Sequence, residues 1–117
     1  MRHCEDILHA SIWRQLQHLL PEGCLSWSVE NRRNGKREGR RRKNRGCIPG
    51  VPDLHFLHDG RLLCVELKTK SGRLNEAQAA LHERIRQCGG AVSVCRSLED
   101  VVAFLTENGV KMKGSVA

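Results

Sequence analysis

Gly50-Val51-Pro52-Asp53-Leu54-His55-Phe56-Leu57-His58-Asp59-Gly60-Arg61-Leu62-Leu63-Cys64-Val65-Glu66-Leu67-Lys68 is the stretch on which the fold turns. Two apolar runs, Leu54 to Leu57 and Leu62 to Val65, flank His58-Asp59-Gly60, and Asp-Gly between such runs is a strong short-range hairpin signal. An antiparallel hairpin folded there returns Glu66 to the side of Asp53. Side chains alternate along a strand, so Leu63, Val65 and Leu67 point into a core while Glu66 and Lys68 project together from the other face. An acid and a base thus share one surface, with a second acid across the hairpin.

The segments on either side fit around that hairpin. Cys4, Ile7, Leu8, Ile12, Leu16 and Leu19 recur at helical spacing from about Glu5 to Leu20, and Pro21 with Gly23 ends the run. Leu25, Trp27 and Val29 alternate with Ser26, Ser28 and Glu30 as an amphipathic strand does. Downstream, Asn75 with Gln78 at the third helical position starts a second helix, whose stripe of Ala77, Leu81, Ile85 and Cys88 stops at Gly89-Gly90. Ala91 to Cys95 is a short strand. Ser97-Leu98-Glu99-Asp100 then opens a last helix through Val101, Val102, Phe104 and Leu105 to Asn108-Gly109. The strand-helix-strand unit ending at Cys95 predicts a parallel pair, and the hairpins before it predict antiparallel ones. The expected class is α/β, a mixed β-sheet flanked by helices in the order α-β-β-β-α-β-α. The Lys111 to Ala117 tail reads as loose.

The chain of 117 residues suits one domain, 1–117, with one core. It contains no apolar run of membrane-spanning length and does not open like a signal peptide, so a soluble, intracellular (cytoplasmic) protein is expected. Six cysteines without a C-x-x-C pair, mostly within apolar patterns, read as reduced, buried thiols. The net charge of +7 is concentrated: Arg32, Arg33, Lys36, Arg37, Arg40, Arg41, Arg42, Lys43 and Arg45 stand against Glu38 alone, +8, leaving the rest of the chain at −1. This glycine-interspersed segment, 32–46, reads as a flexible basic loop that holds phosphates, or as a solubilising insertion.

Asp53 and Glu66 brought together repel unless a cation lies between them, and hard oxygen ligands suit Mg²⁺ or Mn²⁺. With Lys68 beside them, the set matches what hydrolysis of a phosphodiester needs: a divalent ion, an oriented water and a positive charge near the phosphoryl oxygens. The structural alternative is an Asp at a turn and a Glu/Lys pair on a solvated strand face.

Gly50-Val51-Pro52-Asp53-Leu54, Val65-Glu66-Leu67-Lys68-Thr69, Gly72-Arg73-Leu74-Asn75-Glu76-Ala77-Gln78 and Gly90-Ala91-Val92-Ser93-Val94-Cys95-Arg96-Ser97 together resemble the VRR-NUC family, the virus-type replication-repair nucleases of the PD-(D/E)xK superfamily. The resemblance runs from Gly50 to Leu105, about half the chain, and the length is that of the short, stand-alone phage and bacterial type. It implies a restriction-endonuclease-like fold and a Mg²⁺- or Mn²⁺-dependent DNA endonuclease. Asp53 and Glu66 would be metal ligands, the Leu67 carbonyl a further one, Lys68 the catalytic lysine and Gln78 a neighbour of the active site. The short members resemble Holliday-junction resolvases in their dimeric, branched-DNA activity, so the resemblance implies a homodimer with DNA as its partner.

Several residues keep two readings. In the resembled nucleases an acidic residue on the first helix often completes the metal shell, a role open to Glu5 if that helix packs across the site, with Asp6 as the fallback; a first-turn glutamate is also favoured by the helix dipole alone. Gln78 is equally explained by a capping box. Cys47, His55, His58 and Cys64 invite zinc, but their spacing matches no closed zinc pattern. Helix one with Trp13 and the last helix are candidate dimer surfaces or ordinary core. A non-catalytic nucleic-acid-binding module of the same fold is the alternative function.

Overall fold

The computed structural model describes residues 2–29, 40, 41 and 43–114. Its elements are α1 (Arg2–Leu16), β1 (Cys24–Ser28), β2 (Leu54–His58), β3 (Arg61–Leu67), α2 (Glu76–Gln87), β4 (Ala91–Cys95) and α3 (Leu98–Glu107). This is the expected order. Residues 40, 41, 43 and 44 are also helical, so part of the expected basic loop is not open coil. Among the described residues no helix is long and apolar enough to cross a membrane.

The four strands lie in the order β1-β2-β3-β4. The turn between β2 and β3 is two residues long, with φ of 51° at Asp59 and 75° at Gly60, the left-handed pair that matches the twist of a hairpin. That turn sets His58 opposite Arg61 and carries the register up to Leu54 opposite Val65. β4 then pairs parallel with β3, as a strand reached through a helix must. α2 begins at Asn75, whose side chain accepts from the Gln78 N–H while the Gln78 side chain accepts from the Asn75 N–H, the full capping box. α3 begins at Ser97, whose hydroxyl accepts from the Asp100 N–H; the Asp100 carboxylate reaches past the cap to the Arg96 N–H at 2.9 Å.

Three layers result. One sheet face presents Cys24, Leu54, Phe56, Leu63, Val65, Leu67 and Cys95 to α1 and α3, which contribute Ile12, Leu16, Val101, Phe104 and Leu105 to a continuous apolar core. α2 packs on the opposite face, against β4.

Four expectations change. Leu25 and Trp27 do share a face of β1, but it is the uncovered one: Leu25 is 61% exposed, and Cys24 is the buried residue. Alternation says which residues share a face; which face is covered depends on where the helices land, and here α1 and α3 lie on the Cys24 side. The α2 stripe of Ala77, Leu81, Ile85 and Cys88 is half-buried to exposed, and the buried residue of that helix is His82. The tail is docked as far as it is described: Val110 is buried, Met112 packs on the core and the Lys113 N–H donates to the Leu19 carbonyl at 2.7 Å. Residues 115–117 lie outside the described part. All six cysteines are free, yet only Cys24, Cys64 and Cys95 are buried; Cys4, Cys47 and Cys88 are exposed. As for the candidate dimer surfaces, Trp13 is half-buried against the core and α3 buries Val101, Phe104 and Leu105 in it, while Ile7 of α1 is exposed.

Candidate active site

The hairpin register fixes the first contact. One step past the rung Leu54–Val65 sets Asp53 beside Glu66, and the Asp53 main chain is held from the other side by the Val29 N–H at 2.8 Å. The Asp53 carboxylate accepts the Leu67 N–H at 2.8 Å, which pins it across the end of β3. Glu66 is 3% exposed and Lys68 8%, so the face they share is closed over by protein rather than solvated. The solvated alternative is thereby excluded.

Around Glu66 the polar groups divide by oxygen. Oε2 accepts from the Gln78 side-chain amide at 3.3 Å and faces the Lys68 ammonium at 4.0 Å. Gln78 thus serves both readings at once: its Oε1 closes the helix cap, and its Nε2 reaches the carboxylate. Oε1 of Glu66 is buried with no hydrogen-bond partner. Burial, then the charge of Asp53, then a carboxyl hydrogen bond with Asp53 push the Glu66 pKa up to about 9; Lys68 opposes the rise, and Glu5 adds to it. With no cation between the two carboxyls, Glu66 holds its proton at neutral pH.

The remaining residues fall on either side of this cluster. Glu5, half-buried in the first turn of α1, is close enough to Glu66 to act on it electrostatically, whereas Asp6 is exposed. Of the basic segment, Arg40, Arg41, Lys43 and Arg45 are exposed; Arg32, Arg33, Lys36, Arg37 and Arg42 lie outside the described residues. The zinc quartet does not converge. His55 bonds the Pro52 carbonyl at 3.1 Å and meets Trp27 edge-on, His58 bonds the Gly23 carbonyl at 3.3 Å, and Cys64 is buried in the sheet while Cys47 is exposed. Among the described residues no three or more His, Cys, Asp or Glu side chains are grouped to hold a metal ion, so Asp53 and Glu66 are a pair without a third such side chain.

The donor chemistry fits a hard divalent ion with open positions. The convergent groups are carboxylate oxygens, and Glu66 Oε1 is a buried oxygen with nothing to satisfy it. A cation here would let both carboxyls ionise.

Residues 5–99 of the chain match the VRR-NUC domain. The chain belongs to the VRR-NUC family. Its fold is accordingly PD-(D/E)xK-like, and its function is of the nuclease type. A solved structure described as a VRR_NUC domain superposes with a TM-score of 0.59 at 22% identity, covering 87% of this chain and 94% of that one. Another, a VRR_NUC domain protein, gives 0.63 at 17% identity over 88% and 85%. No curated protein matches the chain in sequence.

One residue of this VRR-NUC site carries no mark in the sequence. His82, 1% exposed, places Nε2 3.6 Å from Glu66 Oε1, and neither of its ring nitrogens has a hydrogen bond. Burial, Arg86 and Lys68 lower its pKa, so the ring is neutral. The available signal was its place four residues after Gln78, on the same side of the helix.

Proposed function

We propose that this VRR-NUC protein is a Mg²⁺- or Mn²⁺-dependent DNA endonuclease that hydrolyses phosphodiester bonds, acting as a homodimer on branched DNA such as Holliday junctions. The observation that carries the proposal is the half-buried Asp53 set level with the buried Glu66 across the hairpin, with the Lys68 ammonium 4.0 Å from the Glu66 carboxylate. Asp53 and Glu66 are the ligands, with the Leu67 carbonyl and Glu5 as the further oxygens nearest the pair in sequence or in charge. A bound divalent ion supplies stabilisation of phosphoryl charge and acidification of the attacking water. Lys68 holds its ammonium at the edge of the pair, where it orients the water or neutralises charge developing on the phosphate. Gln78 fixes the Glu66 carboxylate from the start of α2. The exposed Arg40, Arg41, Lys43 and Arg45, with the rest of the basic segment, grip the DNA backbone without reading bases.

One such site cuts one strand, so paired cuts across a four-way junction require two sites related by a two-fold axis. The test is nicking of labelled linear, flap, fork and four-way DNA with Mn²⁺ by the parent, Asp53→Ala and Lys68→Ala, together with the mass in solution. Metal-dependent cleavage that both substitutions abolish, strongest on four-way DNA and from a dimer, is the expected result. Equal, null cleavage by all three with unchanged DNA affinity would make the protein a binding module instead.

A further inference from the structure

His82 is an expensive residue in its place. Leaving two ring nitrogens dry opposes folding, and an apolar side chain of similar volume would fill the same space without that loss. The rest of α2 does not need an imidazole either: its cap is complete at Asn75 and Gln78, and Arg86 is engaged by the Val92 carbonyl and Glu83. What the ring does face is Glu66 Oε1, itself buried and without a partner. Oε2 already has Gln78 and Lys68. Two unsatisfied atoms therefore face each other, His82 Nε2 and Glu66 Oε1, 3.6 Å apart and just beyond hydrogen-bond length.

We propose that His82 is a positioning residue, whose Nε2–H donates to Glu66 Oε1 and orients that carboxylate for a divalent cation. This rests on the metal-dependent reading above. The role needs only a proton on Nε2, which one neutral tautomer and the imidazolium both carry. Groups that brace a metal-bound side chain from behind are worth about 10- to 100-fold in metal affinity.

The experiment compares Mn²⁺ affinity, from the electron paramagnetic resonance signal of the free ion without DNA, with Tm in EDTA. Parent, Asp53→Ala, His82→Leu and His82→Gln are measured side by side. Expected for His82→Leu is a loss of about 10-fold or more in Mn²⁺ affinity with a Tm equal to or above the parent's, while His82→Gln, which keeps a donor, recovers most of the affinity. A merely structural histidine gives the reverse: a lower Tm and unchanged Mn²⁺ affinity. Unchanged affinity in His82→Leu, or equal loss in His82→Gln, overturns the assignment; equal loss would make the imidazole itself a ligand. Should His82→Leu fail to fold, His82→Ala against His82→Gln decides by the same criteria. If the parent takes up no Mn²⁺, the metal-dependent reading falls and this inference with it. If the parent does and Asp53→Ala does not, that reading stands and the His82 comparison alone decides.

Discussion

From Leu63 to Leu67 both faces of β3 are buried, one all apolar and the other carrying a carboxyl beside Cys64. Leu63, Val65 and Leu67 belong to the apolar core shared with α1 and α3, whereas Glu66, with Lys68 just beyond the strand, lies among Asp53, Gln78 and His82. Burial on the first face stabilises, at about 25 cal/mol per Å² of apolar surface removed from water. On the second it opposes folding, since a carboxyl and an imidazole lose solvent without a full set of partners. A fold accepts such a face where something else requires it, and the unsatisfied atoms mark where that is.

The largest expected effect tests whether the faces differ in sign. Phe56→Ala, deleting a fully buried ring from the apolar side, should cost about 3–5 kcal/mol in chemical denaturation. Glu66→Gln, on the polar side, should instead raise the stability of the metal-free protein at pH 8 to 9 while abolishing cleavage. Destabilisation by both would mean that the faces are energetically alike, and the contrast would collapse.

The next effect is a pH dependence. Glu66 titrates near 9 when folded and near 4.5 when unfolded, so between those values the folded state holds a proton that the unfolded chain has released. Stability therefore falls as pH rises through that window, by about 1.4 kcal/mol per pH unit at most. His82 works the other way, its lowered folded pKa costing stability as pH drops below 6.5. The Glu66 slope is thus cleanest between pH 6.5 and 9, in EDTA. It should vanish in Glu66→Gln and shrink with saturating Mn²⁺; a flat parent profile in EDTA would show that Glu66 ionises freely and that the pair is not crowded.

Why Asp53 and Glu66 were legible in the sequence follows from the same hairpin. A two-residue Asp-Gly turn leaves a single register, and counting back from it sets Asp53 level with Glu66 before any tertiary contact is known. Caps at Asn75 and Ser97 were legible for a similar reason, being local hydrogen bonds between residues three apart. His82 was not, because its partner lies on another element and only the packing of α2 over the sheet brings them together. The exposed face of β1 escaped likewise: alternation cannot say which side a helix will cover.

A moderate effect probes how α2 is held over the polar face. Gly50 has φ +87°, and a Cβ there would stand 2.5 Å from the Ala77 carbonyl oxygen and 2.8 Å from the Gln78 nitrogen. Gly50→Ala must therefore strain the backbone and push back the first turn of α2, which carries Gln78 to Glu66. A loss of about 1–3 kcal/mol is expected, with Mn²⁺ affinity falling alongside because the carboxylate loses its amide. Gly60 has φ +75° but nothing within 4 Å of its Cβ position, so Gly60→Ala isolates the backbone part of that loss. Equal effects on Mn²⁺ affinity at the two glycines would show that α2 does not position the site.

The smallest effect bears on the uncovered part of the same polar-side face. Leu25 and Leu57 stand opposite each other, 61% and 40% exposed, with Trp27 one rung along. α2 covers the β4 side of that face and stops short of β1, so these side chains meet water where Glu66 meets protein. A cross-strand apolar pair of this kind contributes roughly 0.2–1 kcal/mol, and Leu25→Thr should change stability by about 0.5 kcal/mol or less because threonine keeps the strand preference. Leu57→Thr should do the same, with cleavage unaffected in both. A loss several times larger in concentrated protein that disappears on dilution would show that the strip is covered in solution. The face would then be buried from end to end, by α2 over the carboxylates and by another molecule over β1.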